Sequence, residues 1–142
     1  MRATGAVFTI PNYLIMLAQV HAALGRPKEG LKHLASATEL IEKNDERVWE
    51  PELHTVRGEV MAMMGDRAAA EEAFYRSLTI SRNVSAKLIE LRASTRLASL
   101  WRDQGKRIEA RDLLAPIYGW FTEGFDAPDL KQAKALLEQL TE

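Results

Sequence analysis

Three histidines, His21, His33 and His54, are the side chains here best suited to bind a metal or carry a proton. Two ligands on one helix face must stand three or four residues apart, as in zinc-binding helices. These stand 12 and 21 residues apart, so structural or surface roles are expected and no metal site. Six serines that a nucleophile could be sought among, Ser36, Ser77, Ser81, Ser85, Ser94 and Ser99, include none in a Gly-x-Ser-x-Gly elbow, the strained turn that lifts a hydrolase serine toward its base. With no cysteine there is no thiolate nucleophile, thiolate metal site or disulfide. A Gly-rich phosphate loop ending in Lys-Ser/Thr is also absent. The residues therefore predict a protein that is not an enzyme and needs no cofactor. Trp120, Phe121 and Phe125 offer an aromatic cluster of the kind that walls a small-ligand sensor pocket, but they fall where two elements must meet, and core packing is the expectation.

The bulk charge narrows the partners. Nineteen Lys and Arg against twenty Asp and Glu leave a net charge of −1, so no global positive field draws nucleic acid or an anionic membrane. No run approaches the roughly 20 apolar residues of a membrane span, and the N-terminus lacks the pattern of a signal peptide. A single cytoplasmic domain covering 1–142 is expected.

The elements appear when the chain is written in rows of 40 beginning at Pro11, Pro51 and Leu91. Gly25, Gly65 and Gly105 share a column, each followed by a polar residue. Five columns on stand Gly30, Ala70 and Ala110, then Leu34, Phe74 and Leu114; seven before the glycines stand Ala18, Gly58 and Ala98. Small residues let helix backbones approach, and glycine ends a helix in the left-handed conformation at little cost. Each row therefore reads as helix, tight turn, helix, with hairpins at about 11–44, 46–84 and 85–122. In the last of these, Ala110, Leu113, Leu114, Ile117, Tyr118 and Phe121 make a continuous apolar stripe at helical spacing. Pro11 and Pro51 suit first helical positions, Ser85 looks like an N-cap that makes the next helix the longest, and Pro116 predicts a bend within a helix. A closing helix over about 127–140 starts with Asp126 as N-cap and Pro128 in its first turn, with Leu130, Ala133, Leu137 and Leu140 on one face.

These columns resemble the tetratricopeptide repeat, a small residue in the first helix, a Gly-Asp/Asn turn, then small, bulky and small residues in the second. Gly58, Gly65-Asp66, Ala70, Phe74 and Ser77 match best. The period of 40 exceeds the usual one of about 34. The resemblance implies an all-α helical-hairpin solenoid, three hairpins and a C-terminal capping helix, that binds protein or peptide. It also implies a groove lined by the first helix of each hairpin. The outward columns there are Asn12, Ile15 and Gln19; Glu52, Thr55 and Glu59; and Arg92, Thr95, Ser99 and Arg102. Glu52 and Glu59 can pair with Arg92 and Arg102 as surface ion pairs, or the arginine forks can clamp a carboxylate.

A narrower resemblance runs through Leu114-Ala115-Pro116-Ile117-Tyr118-Gly119-Trp120-Phe121-Thr122-Glu123-Gly124-Phe125-Asp126, Asp129-Leu130-Lys131, Ala133-Lys134-Ala135-Leu136-Leu137 and Ser99-Leu100-Trp101-Arg102-Asp103-Gln104-Gly105-Lys106. It is similar to the C-terminal tetratricopeptide tail of bacterial signalling proteins that join a class III nucleotide cyclase domain to an AAA-type ATPase. It implies a regulatory tail without either active site. The alternative is the structural end of a longer superhelix; apolar Val7, Phe8 and Ile10 then read as the remnant of a preceding element, and self-association through an exposed first hairpin is expected.

Overall fold

The computed structural model describes residues 4–141, and side chains from Ile10 onward. Among them are seven α-helices and no strand: α1 Thr4–Ala23, α2 Pro27–Asn44, α3 Glu50–Met63, α4 Arg67–Asn83, α5 Lys87–Asp103, α6 Arg107–Trp120 and α7 Pro128–Leu140. A single 3-10 turn, Arg47–Trp49, leads into α3. The expected helical-hairpin fold is present, all-α throughout the described residues. The side chains of Val7 and Phe8, expected to belong to the remnant of a preceding element, lie outside the described residues.

The corners explain the period. Positive φ recurs at Gly25, Asp45, Gly65, Ser85 and Gly105, one left-handed residue every twenty positions. Four of the corners share one pair of hydrogen bonds. Gly25 N–H donates to Ala22 C=O and Arg26 N–H to His21 C=O; Gly65 and Asp66 repeat this to Ala62 and Met61, Ser85 and Ala86 to Arg82 and Ser81, Gly105 and Lys106 to Arg102 and Trp101. This is the Schellman closure, which satisfies the last carbonyls of the outgoing helix. The 40-residue row is thus two 20-residue half-rows, whose alternate corners carry Asp and Ser in place of Gly.

Several sequence expectations are corrected here. Ser85 does not cap α5; it is the left-handed residue that ends α4, and the residue before α5 is Ala86. Pro11 does not open α1 but lies inside it, so α1, at 20 residues, outruns the 17 of α5. Ala127, not Asp126, precedes α7, because Pro128 itself takes the first helical position. Pro116 sits inside α6, which continues to Trp120 with the ring on the exposed side, where an unpaired carbonyl can meet water. At α4 the cap is a true one: Asp66 Oδ1 accepts a hydrogen bond from Ala69 N–H at 3.1 Å.

Packing divides the chain into two compact units, Met1–Ala73 and Phe74–Glu142, with the division inside α4. In the first, Ile15, Ala18 and Ala22 of α1, Leu34, Ala37 and Ile41 of α2, and Leu53, Val56 and Val60 of α3 form one buried cluster, with Trp49 packed against it. Close approach of α1 and α2 depends on Gly30: a Cβ there would stand 3.0 Å from the Ala18 carbonyl oxygen. In the second, Leu91 and Ala98 of α5, Ala110, Leu114 and Ile117 of α6, and Leu130, Ala133, Leu136 and Leu140 of α7 make the corresponding cluster. Leu113, Tyr118 and Phe121 complete the expected stripe of α6, and Trp101 packs beside it. Leu136 is buried where Leu137 was expected, and Leu137 lies at the edge. Just as α3 rests on both α1 and α2, α7 rests on both α5 and α6.

Candidate functional site

The expected groove residues divide by column. Ile15, Thr55 and Thr95, forty residues apart, are 1, 1 and 5% exposed, so this column turns inward and offers a ligand little surface, which corrects their assignment to an outward face. Ile15 is core. The threonines can be buried because each hydroxyl donates to the carbonyl one turn back, Thr55 to Pro51 at 3.0 Å and Thr95 to Leu91 at 2.8 Å. The flanking columns, Asn12, Glu52 and Arg92, and Gln19, Glu59 and Ser99, are half-buried, as is Arg102.

In the first unit, Gln19 Nε2 donates to Glu59 Oε1 at 3.3 Å, linking α1 to α3 between neighbouring positions of one column. The second unit brings more of the expected residues together. Thr95, Ser99 and Arg102 of α5, with Arg96, line a cleft of about 270 Å³ whose other wall is Gln132, Ala135, Leu136 and Gln139 of α7. Arg102 Nη1 donates to Gln139 Oε1 and Nη2 to Ser99 Oγ, and Arg96 Nη1 donates to Gln132 Oε1 at 3.0 Å. At the head of the cleft Arg92 grips Asp129 with both prongs of its guanidinium. Three arginines border the cleft: Arg92 faces a carboxylate across it, Arg96 donates to the Gln132 amide, and Arg102 donates to the Gln139 amide and also, from Nε at 3.2 Å, to the carboxylate of Asp103. At its rim Asp103 meets Arg102 Nη2 at 3.1 Å. A carboxylate entering between Arg96 and Arg102 would meet donors from both walls, since Gln132 and Gln139 also carry amide N–H groups.

Arg96, Gln132 and Gln139 were missed in the sequence. The available signal was helical spacing: Arg96 lies one turn beyond Arg92, and Gln132 and Gln139 lie seven apart on the polar side of α7.

Other chemistry is sparse. Among the described residues no group of three or more His, Asp or Glu could hold a metal. His21 and His33 do meet, their rings stacked 4.8 Å apart, although their sequence spacing gave no reason to pair them. Trp120 and Phe125 are not core, as was expected, but 57 and 44% exposed. Trp120 meets Phe121 edge-on at 5.1 Å, and Lys87 stands 5.6 Å over its ring.

The corner geometry and the small-residue approach of α1 and α2 are what a tetratricopeptide hairpin requires, and the family's model, Tetratricopeptide repeat, matches residues 9–83. The chain belongs to the tetratricopeptide repeat family. No curated protein and no solved structure matches it. Tetratricopeptide repeats generally mediate protein–protein interaction and are generally non-catalytic. No helix among the described residues is long and apolar enough to cross a membrane.

Proposed function

We propose that this tetratricopeptide chain is a non-catalytic module that binds an acidic peptide segment of a partner protein, with the α5–α7 cleft as the ligand surface. The observation that carries this reading is the juxtaposition of Arg96 and Arg102 with Gln132 and Gln139 around one cleft of about 270 Å³. Arginine forks favour planar carboxylates, and complementary charge steers an acidic segment toward them. The resemblance of the α6–α7 region to the tail of bacterial cyclase- and ATPase-type signalling proteins supports a regulatory setting for that binding. A cytoplasmic location accords with this setting and with the absence of cysteine.

A structural role as the end of a longer superhelix has one observation in its favour. After Pro128, the exposed residues of α7 are Lys131, Gln132, Lys134, Ala135, Glu138 and Gln139, a face suited to water and not to a further hairpin.

Fluorescence anisotropy with labelled hexa-aspartate and hexa-lysine peptides separates the readings. Saturable binding of the acidic peptide, weakened by Arg102→Glu, is expected. No binding of either peptide, or equal binding to the parent and Arg102→Glu chains, would leave only the structural role.

A further inference from the structure

α1 contains no Asp, Glu, Lys or Arg along its 20 residues. One side is accounted for, since Ile15, Ala18 and Ala22 are buried in the first core. The other side is not polar. Tyr13, Met16, Val20 and, just past the helix, Leu24 are 59, 52, 51 and 66% exposed, and their spacing of three, four and four sets them in one stripe. A surface helix normally carries its charges on such a face, and a helix apolar all round is normally covered.

The repeat identifies what these positions do in this fold. Forty residues on from Tyr13, Met16 and Val20 stand Leu53, Val56 and Val60, which are 2, 1 and 0% exposed and belong to the cluster that seats α3 on α1 and α2. Val60 Cγ2 lies 3.6 Å from the place of a Cβ on Gly30, so this seam packs directly against α2. The α1 stripe is the same seam, presented to solvent.

We infer that the stripe Tyr13–Met16–Val20–Leu24 is an interface between two copies of this chain, packed α1 against α1 about a two-fold axis. Stacking α1 of one copy on α7 of another would bury Lys131, Lys134 and Glu138 against an apolar surface and leave those charges without counterparts. Pairing α1 with its own copy buries no charge on either side. Such a contact is isologous and closes at a dimer, because each stripe is consumed by its partner. The stripe spans about 16 Å of helix, which falls short of the roughly 800 Å² per partner of a standard stable interface, so a concentration-dependent dimer is expected. This inference does not depend on the cleft, and neither result below bears on peptide binding.

Light scattering of the intact chain over a dilution series from about 1 to about 500 µM tests it. The mass should rise from 16.0 kDa toward twice that value. Met16→Lys combined with Val20→Lys should hold the chain at monomer mass with its helical circular dichroism intact, because both side chains are half-exposed in the monomer. Tyr13→Lys with Leu24→Lys is a second, independent pair with the same expectation. Ile108→Lys, at a side chain 65% exposed on α6, should dimerise as the parent does. A parent that stays at 16.0 kDa at the highest concentration overturns the inference. Dimers that survive both lysine pairs overturn it equally.

Discussion

Arg92 of α5 and Asp129 of α7 form a two-pronged ion pair, Nη2 to Oδ2 at 2.9 Å and Nε to Oδ1 at 3.4 Å, with each side chain about one-fifth exposed. Asp129 also stands in the first turn of α7, where a negative charge meets the positive end of the helix dipole. Asp129→Ala should therefore destabilise the second unit by about 1–2 kcal/mol, between the values for exposed and buried pairs. Urea unfolding of Asp129→Ala, Arg92→Ala and the double variant measures the coupling directly. A coupling energy of zero would mean that this ion pair adds nothing to the seating of α7.

The left-handed corners give a prediction of opposite sign. Ser85, at φ 57°, occupies a conformation that glycine adopts at Gly25, Gly65 and Gly105. For an L-residue this conformation costs roughly 1–2 kcal/mol, part of which is offset by the greater freedom of glycine in the unfolded chain. Ser85→Gly should stabilise the chain by about 0.5–1 kcal/mol, while Gly65→Ala should destabilise it by about 1–2 kcal/mol. Thermal melts of the two variants should move in opposite directions, and a lower melting temperature for Ser85→Gly would remove Ser85 from the corner.

Ser85 also shows where the sequence stops being legible. The 40-residue row is visible because Gly25, Gly65 and Gly105 mark it, whereas the 20-residue half-row is hidden because the intervening corners use Asp45 and Ser85, residues that serve equally well as N-caps. The site was half legible for a related reason. Thr55 and Thr95 look outward by polarity, yet a threonine can satisfy its hydroxyl on its own helix and be buried. Ser99 and Arg102 lie three residues apart on α5 and meet through a hydrogen bond. Their α7 counterparts, Gln132 and Gln139, could not be paired with them, because register between helices is set by how Leu130, Ala133, Leu136 and Leu140 pack and not by any local pattern. Trp120 and Phe125 failed in the opposite sense: aromatic residues near a helix junction are usually core, and here they are exposed.

Binding in the α5–α7 cleft, if carried by charge, has a salt signature. Arg102→Glu should weaken the acidic peptide at least tenfold, about 1.4 kcal/mol, because it replaces an attractive charge by a repulsive one between Arg96 and Gln139. Raising the salt concentration from about 0.05 to about 0.5 M should weaken the parent in the same direction. The hydrogen bonds of Arg102 to Gln139 and Ser99 are exposed or half-exposed, so unfolding free energy should fall by no more than about 1 kcal/mol. Titrations and urea melts on the same samples distinguish a binding defect from a folding one.

Two glycines in helices should respond to the same substitution with opposite signs. Replacing glycine by alanine inside a helix is favoured by about 1 kcal/mol when nothing obstructs the new methyl group. At Gly119 of α6 nothing lies within 4 Å of the added Cβ, and Gly119→Ala should stabilise by up to that amount. At Gly30 of α2 the same methyl would stand 3.0 Å from the Ala18 carbonyl oxygen, a backbone atom that moves only if α1 does. Separating the two helices enough to admit it strains the cluster of Ile15, Ala18, Leu34 and Ala37, a penalty of about 1–3 kcal/mol for overpacking a well-filled core. The propensity gain offsets part of this, so Gly30→Ala should destabilise by about 1 kcal/mol and Gly30→Leu by about 3 kcal/mol or more. Urea unfolding of the three variants beside the parent decides the matter. A Gly30→Ala chain as stable as Gly119→Ala would mean that α1 and α2 do not approach closely at Ala18, and the small-residue column would lose its packing role.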